Sequence, residues 1–394
     1  IQTLEAERGG ELSDVERQVL ARLASCIGQF DRAAAQAVSE AAMTTLALLV
    51  DKSLLRRAGT GRYSMHELLR QFAGARLQAD PRERAQAAER HGVHFLAQLA
   101  ARTERLARDD TQQAAAELMA ELGNLRQAWL WAAAERPQLL EPAAYALMLF
   151  SWHNGLLREA TQLYSSAIAG LATAPGAEAG RLEALLLALR GRLRMPQGQH
   201  EQALGDAERA IALGRATGAV EAEAFATVVR GMALRRLGRS AEARQQLLAA
   251  IARAEAAPPP ELPGPLLPDV QRLAYNWLCS IALSDSDYRA ARAYAERNLQ
   301  ICREQQLRLG ELFARSDLLD IAIATGDYAT ARHEANAALG LARVLSFTDG
   351  EAAVLHPLAI LAQLEGDYAR AEALLNESLA LLHSQGNRIR EALM

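Results

Sequence analysis

Cysteine is scarce in this chain, with Cys26, Cys279 and Cys302 standing far apart in 394 residues. Three scattered thiols form neither a disulfide framework nor a metal knuckle, so they read as small buried hydrophobes. Lysine is scarcer, with Lys52 alone. A phosphate-binding loop needs a glycine-rich turn ahead of a Lys-Ser or Lys-Thr pair. Ser53 does follow Lys52, but Leu46 and Asp51 stand where that loop requires glycines. A surplus of one charge is missing too: 43 basic and 47 acidic residues leave a net charge of -4, which removes the electrostatic footprint of a nucleic-acid or anionic-membrane binder. No apolar run approaches the roughly 18 to 20 residues of a bilayer span, and the N-terminus lacks the layout of a signal peptide. A cytoplasmic location without membrane contact is expected.

Catalytic patterns are equally thin. His66-Glu67-Leu68-Leu69-Arg70 opens like a zinc-protease helix, yet Arg70 stands where the second histidine belongs. His91 and His94 are three apart with no third ligand nearby, and read as a surface pair rather than a metal site. No Gly-x-Ser-x-Gly elbow is present. The expectation is a non-enzyme without a metal or cofactor of its own. The first residue is Ile1, and residues 387–394 read as the opening of another helix, so a piece of a longer protein is expected.

The chain does contain a rhythm. Half of its residues are hydrophobic, and from about residue 80 they recur at three- and four-residue spacing, the pattern of packed amphipathic helices. Gly326-Asp327-Tyr328 with Ala331 reappears forty residues later as Gly366-Asp367-Tyr368 with Ala371. The same frame takes in Ser286 with Ala291, Gly238 with Ala243, Gly198 with Ala203, Gly155 with Ala160 and Gly123 with Ala128. Alanine makes up about a fifth of the chain, so its presence at all seven positions has a chance probability on the order of one in 10⁵. The units anchored at Gly155 and Gly123 are looser, and from Gly198 onward the frame lengthens only where the proline-rich stretch 258–268 intervenes, which reads as an inserted loop. In each unit the anchor glycine turns the chain between two antiparallel helices, and the alanine lets their axes approach.

The Gly-Asp-Tyr-x-x-Ala run, followed by Ala210, Ala250, Ala338 and Ser378 twelve residues after their anchors, resembles the tetratricopeptide repeat. HEAT repeats, whose period also reaches forty, lack that turn-and-helix signature. The resemblance implies a mainly all-α fold, a right-handed solenoid of helical hairpins whose concave face is lined by the first helix of each unit. Counting back from the anchors gives nine expected groove residues: Arg192, Met232, Arg235, Asn276, Ser280, Ser316, Asp320, His356 and Gln363. Arg192, Arg235 and Asn276 suit a carboxylate or an acidic segment. Trp129, Trp131, Trp152 and Trp277 read as core anchors.

Residues 1–79 break this pattern. A helix opens at Ser13 with Glu16 placed for a capping box; Ala33 to Ala42 and Thr44 to Asp51 follow; two short strands flank Gly59-Thr60-Gly61; another helix runs through Leu77. Helices plus a hairpin predict a small winged helix. Its third helix carries no Arg, Lys, Asn or Gln before Lys52, so base readout is not expected.

Three segments in this order, Leu49 to Leu55, Tyr63 to Ala73 with Met65-His66-Glu67, and Leu118 to Ala132 with Gly123-Asn124-Leu125-Arg126-Gln127-Ala128-Trp129, make the chain resemble the C-terminal part of STAND signalling ATPases. The family places a nucleotide-binding module before a winged helix and a repeat sensor. The resemblance implies that His66 contacts ADP bound to an upstream domain, although Glu67 stands where the family's Met-His-Asp motif has Asp. It further implies ADP or ATP with Mg in the full-length protein, a protein, peptide or small-molecule ligand on the concave repeat face, and a ligand-induced homo-oligomer. The expected organisation is a winged helix over 1–79, connecting helices and a degenerate repeat over 80–140, and the repeat array over 141–394. Two other readings stay open: a constitutive protein-protein scaffold, and part of a DNA-binding transcription regulator.

Overall fold

The computed structural model describes residues 12–59, 61–108, 110–171, 176–256, 266–345 and 347–385. Most of the expected proline-rich insertion lies outside these residues, as do Thr60 of the Gly-Thr-Gly turn and all of 387–394. The chain divides into two compact units, one comprising 1–103 and 113–186, the other 187–394 with the short segment 104–112.

The first unit opens with α1 (Asp14–Leu23), β1 (Gln29–Phe30), α2 (Arg32–Ser39) and α3 (Met43–Asp51). Strands β2 (Arg56–Ala58) and β3 (Arg62–Ser64) and helix α4 (Glu67–Ala79) complete the winged helix. The capping box at Ser13 and Glu16 is formed in both directions. The sheet holds one strand that the sequence pattern did not suggest: β1 pairs antiparallel with β3, giving the order β1-β3-β2. Two residues are too few to show alternation, and the facing of Phe30 on Tyr63, both buried, helps seal this strand to the wing. Lys52 reaches back to Glu16 at 2.8 Å and ties the end of α3 to the start of α1.

Next come α5 (Pro81–Ala101), α6 (Thr103–Ala107), α7 (Thr111–Met119) and α8 (Leu122–Glu135), then α9 (Glu141–His153) and α10 (Leu157–Leu171). Trp129 is 1% exposed, packs edge-on against Tyr164 and donates its indole N–H to the Leu163 carbonyl at 2.9 Å. Trp131 is only half-buried. Gly123 departs from the expected frame: it lies inside α8, against the Ile27 side chain, and turns nothing.

From α11 (Ala177–Arg194) onward the chain alternates first and second helices of a hairpin: α12 (His200–Thr217), α13 (Val220–Arg236), α14 (Ser240–Ala256), α15 (Leu266–Ser284), α16 (Tyr288–Glu304), α17 (Arg308–Ala324), α18 (Tyr328–Val344), α19 (Thr348–Leu364) and α20 (Tyr368–Gln385). Helices α13, α15, α17 and α19 pack both on their hairpin partners and on one another, as a repeat solenoid requires. Each anchor from Gly198 onward works as the sequence implies. Gly326 takes φ 75°, the Asp327 N–H closes on the Ala322 carbonyl at 2.9 Å, and the Asp327 side chain caps α18 through the Thr330 N–H at 3.1 Å. The anchor-plus-five alanines Ala203, Ala243, Ala291 and Ala331 are all at 0% exposure, where a larger side chain would force the hairpin apart.

Ser286 is the exception that tests the turn. It adopts φ 58° where the equivalent positions hold glycine, and a side chain in that region costs about 1 kcal/mol. Ser286→Gly is expected to raise stability by about 0.5 kcal/mol after the added unfolded-state freedom of glycine is counted, and Gly326→Ala to lower it by about 1 kcal/mol. Urea denaturation of both variants measures the pair, and a destabilised Ser286→Gly would refute the turn assignment.

Candidate functional site

In the repeat unit the outward stripe follows from helical phase. On α17, Leu312, Arg315, Leu318, Leu319 and Ala322 face inward, which leaves Phe313, Ser316, Asp317, Asp320 and Ala324 along the opposite face at three- and four-residue steps. Forty residues earlier, α15 shows Asn276, Ser280 and Ser284; forty later, α19 shows His356, Ile360 and Leu364. These faces form the candidate site.

Of the nine residues expected there, Met232 is a correction: it is 1% exposed and belongs to the core. At its place in the frame the hairpin packs so closely that Gly231, next to it, abuts Leu247. Ser280, Asp320 and Gln363 are exposed, and Arg192, Arg235, Asn276, Ser316 and His356 are half-buried. The Ser316 hydroxyl donates to the Leu312 carbonyl of its own helix at 3.0 Å. Arg235 on α13 donates to the Ser284 hydroxyl on α15 at 2.7 Å. Asn276 donates its amide to Asp317 at 3.0 Å, so the amide that looked free for an acidic ligand already holds an acid. Asp317 was missed because it sits one residue off the counted frame. Its spacing of three from Asp320 was the available signal.

Burial pushes the Asp317 carboxyl up to about 7, with the negative field of Asp320 adding to the shift and the Asn276 hydrogen bond opposing it. Asp320 is exposed as a residue, and desolvation by the protein crowded around its carboxyl raises it to about 6. Desolvation of this kind marks walls crowded by protein on several sides.

In the first unit His66 is the N-cap of α4, exposed, with Nδ1 accepting the Leu68 N–H at 3.3 Å. Glu67 is held by Arg70 at 2.7 Å and by Gln71, which draws its carboxyl down to about 2.

A second arrangement was invisible to motif reading. Asn124 on α8, 0% exposed, accepts the Ile27 N–H at 2.7 Å and donates to the Ile27 carbonyl at 3.2 Å and to Glu121 at 2.9 Å. His91 on α5 meets the same Asn124 oxygen at 3.2 Å. Glu121 pairs with Arg62 on β3, which also donates to the Gln29 carbonyl at 2.7 Å. The wing hairpin, the loop after α1, and helices α5 and α8 thus share one satisfied polar network. The expected surface pair at His91 and His94 is therefore corrected: His91 is 1% exposed, and burial draws its imidazole down to about 4.

Residues 12–78 match the winged helix-turn-helix domain family. No curated protein matches the chain in sequence. Among solved structures the chain is similar to a STAND protein with a tetratricopeptide repeat sensor from Pyrococcus horikoshii, with 15% identity, 96% of this chain and 61% of that one covered, and a TM-score of 0.51. It is also similar to a Rap protein complexed with Competence and Sporulation Factor, at 14% identity, 78% and 95% coverage and a TM-score of 0.48. The apo quorum sensor NprR from B. thuringiensis gives 12%, 73%, 98% and 0.40 in the same terms. The family match and the Pyrococcus structure support the assignment of the fold as a winged helix leading into a tetratricopeptide-like array. The chain spans about three fifths of the Pyrococcus protein. Among the described residues no single helix is long and apolar enough to cross a membrane, and no group of three or more His, Cys, Asp or Glu is placed to hold a metal.

The polar network fixes two outcomes. Asn124→Ala strands the Ile27 backbone groups and is expected to cost about 2 to 3 kcal/mol. Because the His91 pKa lies below its unfolded value of 6.5, the unfolded chain takes up the proton first. The stabilisation carried by neutral His91 is whole above pH 6.5 and is lost as pH falls toward 4, by roughly 3 kcal/mol at most. Glu121, whose carboxyl is raised by burial, titrates in the opposite sense. The difference between wild type and His91→Gln in denaturation midpoints from pH 7.5 to 4.5 therefore isolates the histidine, and parallel curves would refute its neutral burial.

Proposed function

We propose that this chain is the regulatory, ligand-sensing part of a STAND-type signalling ATPase. Its repeat face receives a protein, peptide or small inducer, and its winged helix relays occupancy to a nucleotide-binding domain elsewhere in the protein. The observation that carries the reading is the face of α15, α17 and α19. It displays Ser280, Phe313, Asp320, Ile360 and Leu364 without covering structure among the described residues, on helices that otherwise bury their apolar side chains. Soluble proteins bury such mixed faces unless a partner uses them. The order of modules supports the rest, since a STAND protein with a tetratricopeptide repeat sensor shares the fold.

The nucleotide would be ADP or ATP with Mg, held mainly by the upstream domain. This chain offers His66. Its Nδ1 is spent on capping α4, which fixes the ring and leaves Nε2 for a contact from outside the winged helix. With Glu67 already bound by Arg70, the carboxylate is neutralised beside that contact. A two-state switch of this kind needs a ligand with different affinity for the two states, and the energy available for switching equals that difference.

Two measurements test the reading in the full-length protein. Ser316→Arg, which blocks the face between α15 and α19, is expected to abolish the thermal shift given by whichever library peptide or metabolite stabilises the wild type. Introducing arginine at the exposed Glu296 on α16 should leave that shift intact. His66→Ala is expected to lower the fraction of protein that retains ADP through gel filtration. Full ADP retention together with an unaltered thermal shift in Ser316→Arg would refute the proposal.

A further inference from the structure

The buried carboxylates of the repeat unit, Asp206, Glu223, Asp269 and Glu334, are each matched by arginine. Asp206 holds Arg190 and Arg194, Glu223 holds Arg215 and Arg253, and Arg315 sits between Glu311 and Glu334. Asp317 and Asp320 break this rule. Asp317 receives only the Asn276 amide, and Asp320 has no hydrogen bond or ion pair among the described residues. The groups around them supply no cation either. On α15 the titratable neighbour is Cys279, whose thiol is raised by burial and, to a lesser degree, by both aspartates. On α19 the same face carries His356. The arginine of α17 itself, Arg315, points to the other side, toward Glu334 on α18, and Arg303 on α16 is occupied by Glu311. Two partly desolvated acids one turn apart therefore face a surface that, among the described residues, lacks a counter-ion, an arrangement that costs stability until a cation arrives.

A separate feature of the same stripe is apolar. Phe313 is 41% exposed one turn from Asp317, Ile360 is 39% exposed and Leu364 53%. Phe313 is braced edge-on by Phe347, which presents a fixed ring to solvent. An exposed aromatic ring beside carboxylates suits the aliphatic stem and charged head of a basic side chain, and repels an acidic one.

We propose that the α15–α17–α19 face binds a peptide segment that places an arginine or lysine against Asp317 and Asp320 and an apolar neighbour on Phe313 and Ile360. This assignment rests on the receptor reading above, and it reverses the acidic ligand that the sequence suggested from Arg192, Arg235 and Asn276. Asn276 serves to hold Asp317 in place, and Arg235 lies across α15 against Ser284.

The test uses three fluorescein-labelled decapeptides identical in their leucine and glycine positions and carrying two arginines, two glutamines or two glutamates. Fluorescence anisotropy with the wild-type chain at pH 8 is expected to show the arginine peptide bound about tenfold more tightly than the glutamine peptide, with the glutamate peptide weakest. Asp317→Asn with Asp320→Asn should erase that preference, while the charge-matched control Glu255→Gln with Glu296→Gln, on exposed positions of α14 and α16, should keep it. Circular dichroism confirms that both double variants retain helix. Lowering the pH to 5 should weaken the arginine peptide as the two carboxyls take up protons. A preference that survives Asp317→Asn with Asp320→Asn overturns the assignment. If the glutamine or glutamate peptide binds best and Ser316→Arg abolishes that binding, the receptor reading stands and the basic ligand falls. If no peptide binds the wild type, the basic peptide falls, and the receptor reading falls with it only where Ser316→Arg also leaves the library thermal shift unaltered.

Discussion

Close approach of two helices at an alanine is the constraint on which the repeat unit depends. Ala203, Ala243, Ala291 and Ala331 are wholly buried, and each follows by five residues a turn in the left-handed region. The turn sets where the second helix starts, and the small residue sets how near it lies. Once both are fixed, every later side chain on the first helix has a determined direction. Apolar residues fall inward, and the remaining stripe is carried to the same face in hairpin after hairpin. The candidate site is thus a by-product of packing before it is anything chemical.

That explains what could be read from the residues alone. The anchors from Gly198 onward, the alanines and the capping box at Ser13 are local features with local causes, and each appears where the spacing placed it. The failures have local causes as well. Gly123 satisfied the count of residues but lies inside α8, because a glycine also serves where a neighbouring side chain, here Ile27, presses against the helix. Met232 satisfied the count and is buried. Asp317 escaped the count because the register of one helix against the next, which brings it to Asn276, is not a property of a single repeat. The Asn124 network escaped for the same reason: its members, from Ile27 to Asn124, meet only through tertiary packing.

The two units treat buried polarity in opposite ways. In the first, the Arg62, Glu121, Asn124 and His91 side chains answer one another and two backbone segments, so the winged helix is seated on its connecting helices by directional bonds. In the second, the buried acids Asp206, Glu223, Asp269 and Glu334 are answered by arginine, but Asp317 and Asp320 are not. A satisfied network gives rigidity and an unsatisfied pair gives appetite for a ligand.

The solitary Lys52, committed to Glu16, has a consequence for how the molecule answers its surroundings. Apart from the histidines, every other basic side chain is an arginine, whose charge no physiological acidity removes. The cationic half of each arginine ion pair is therefore constant, and any response of the repeat array to proton concentration near neutrality must originate in its carboxylates and histidines. Amine-directed reagents, for their part, find a single side-chain target, in the winged helix, and leave the face of α15, α17 and α19 chemically untouched.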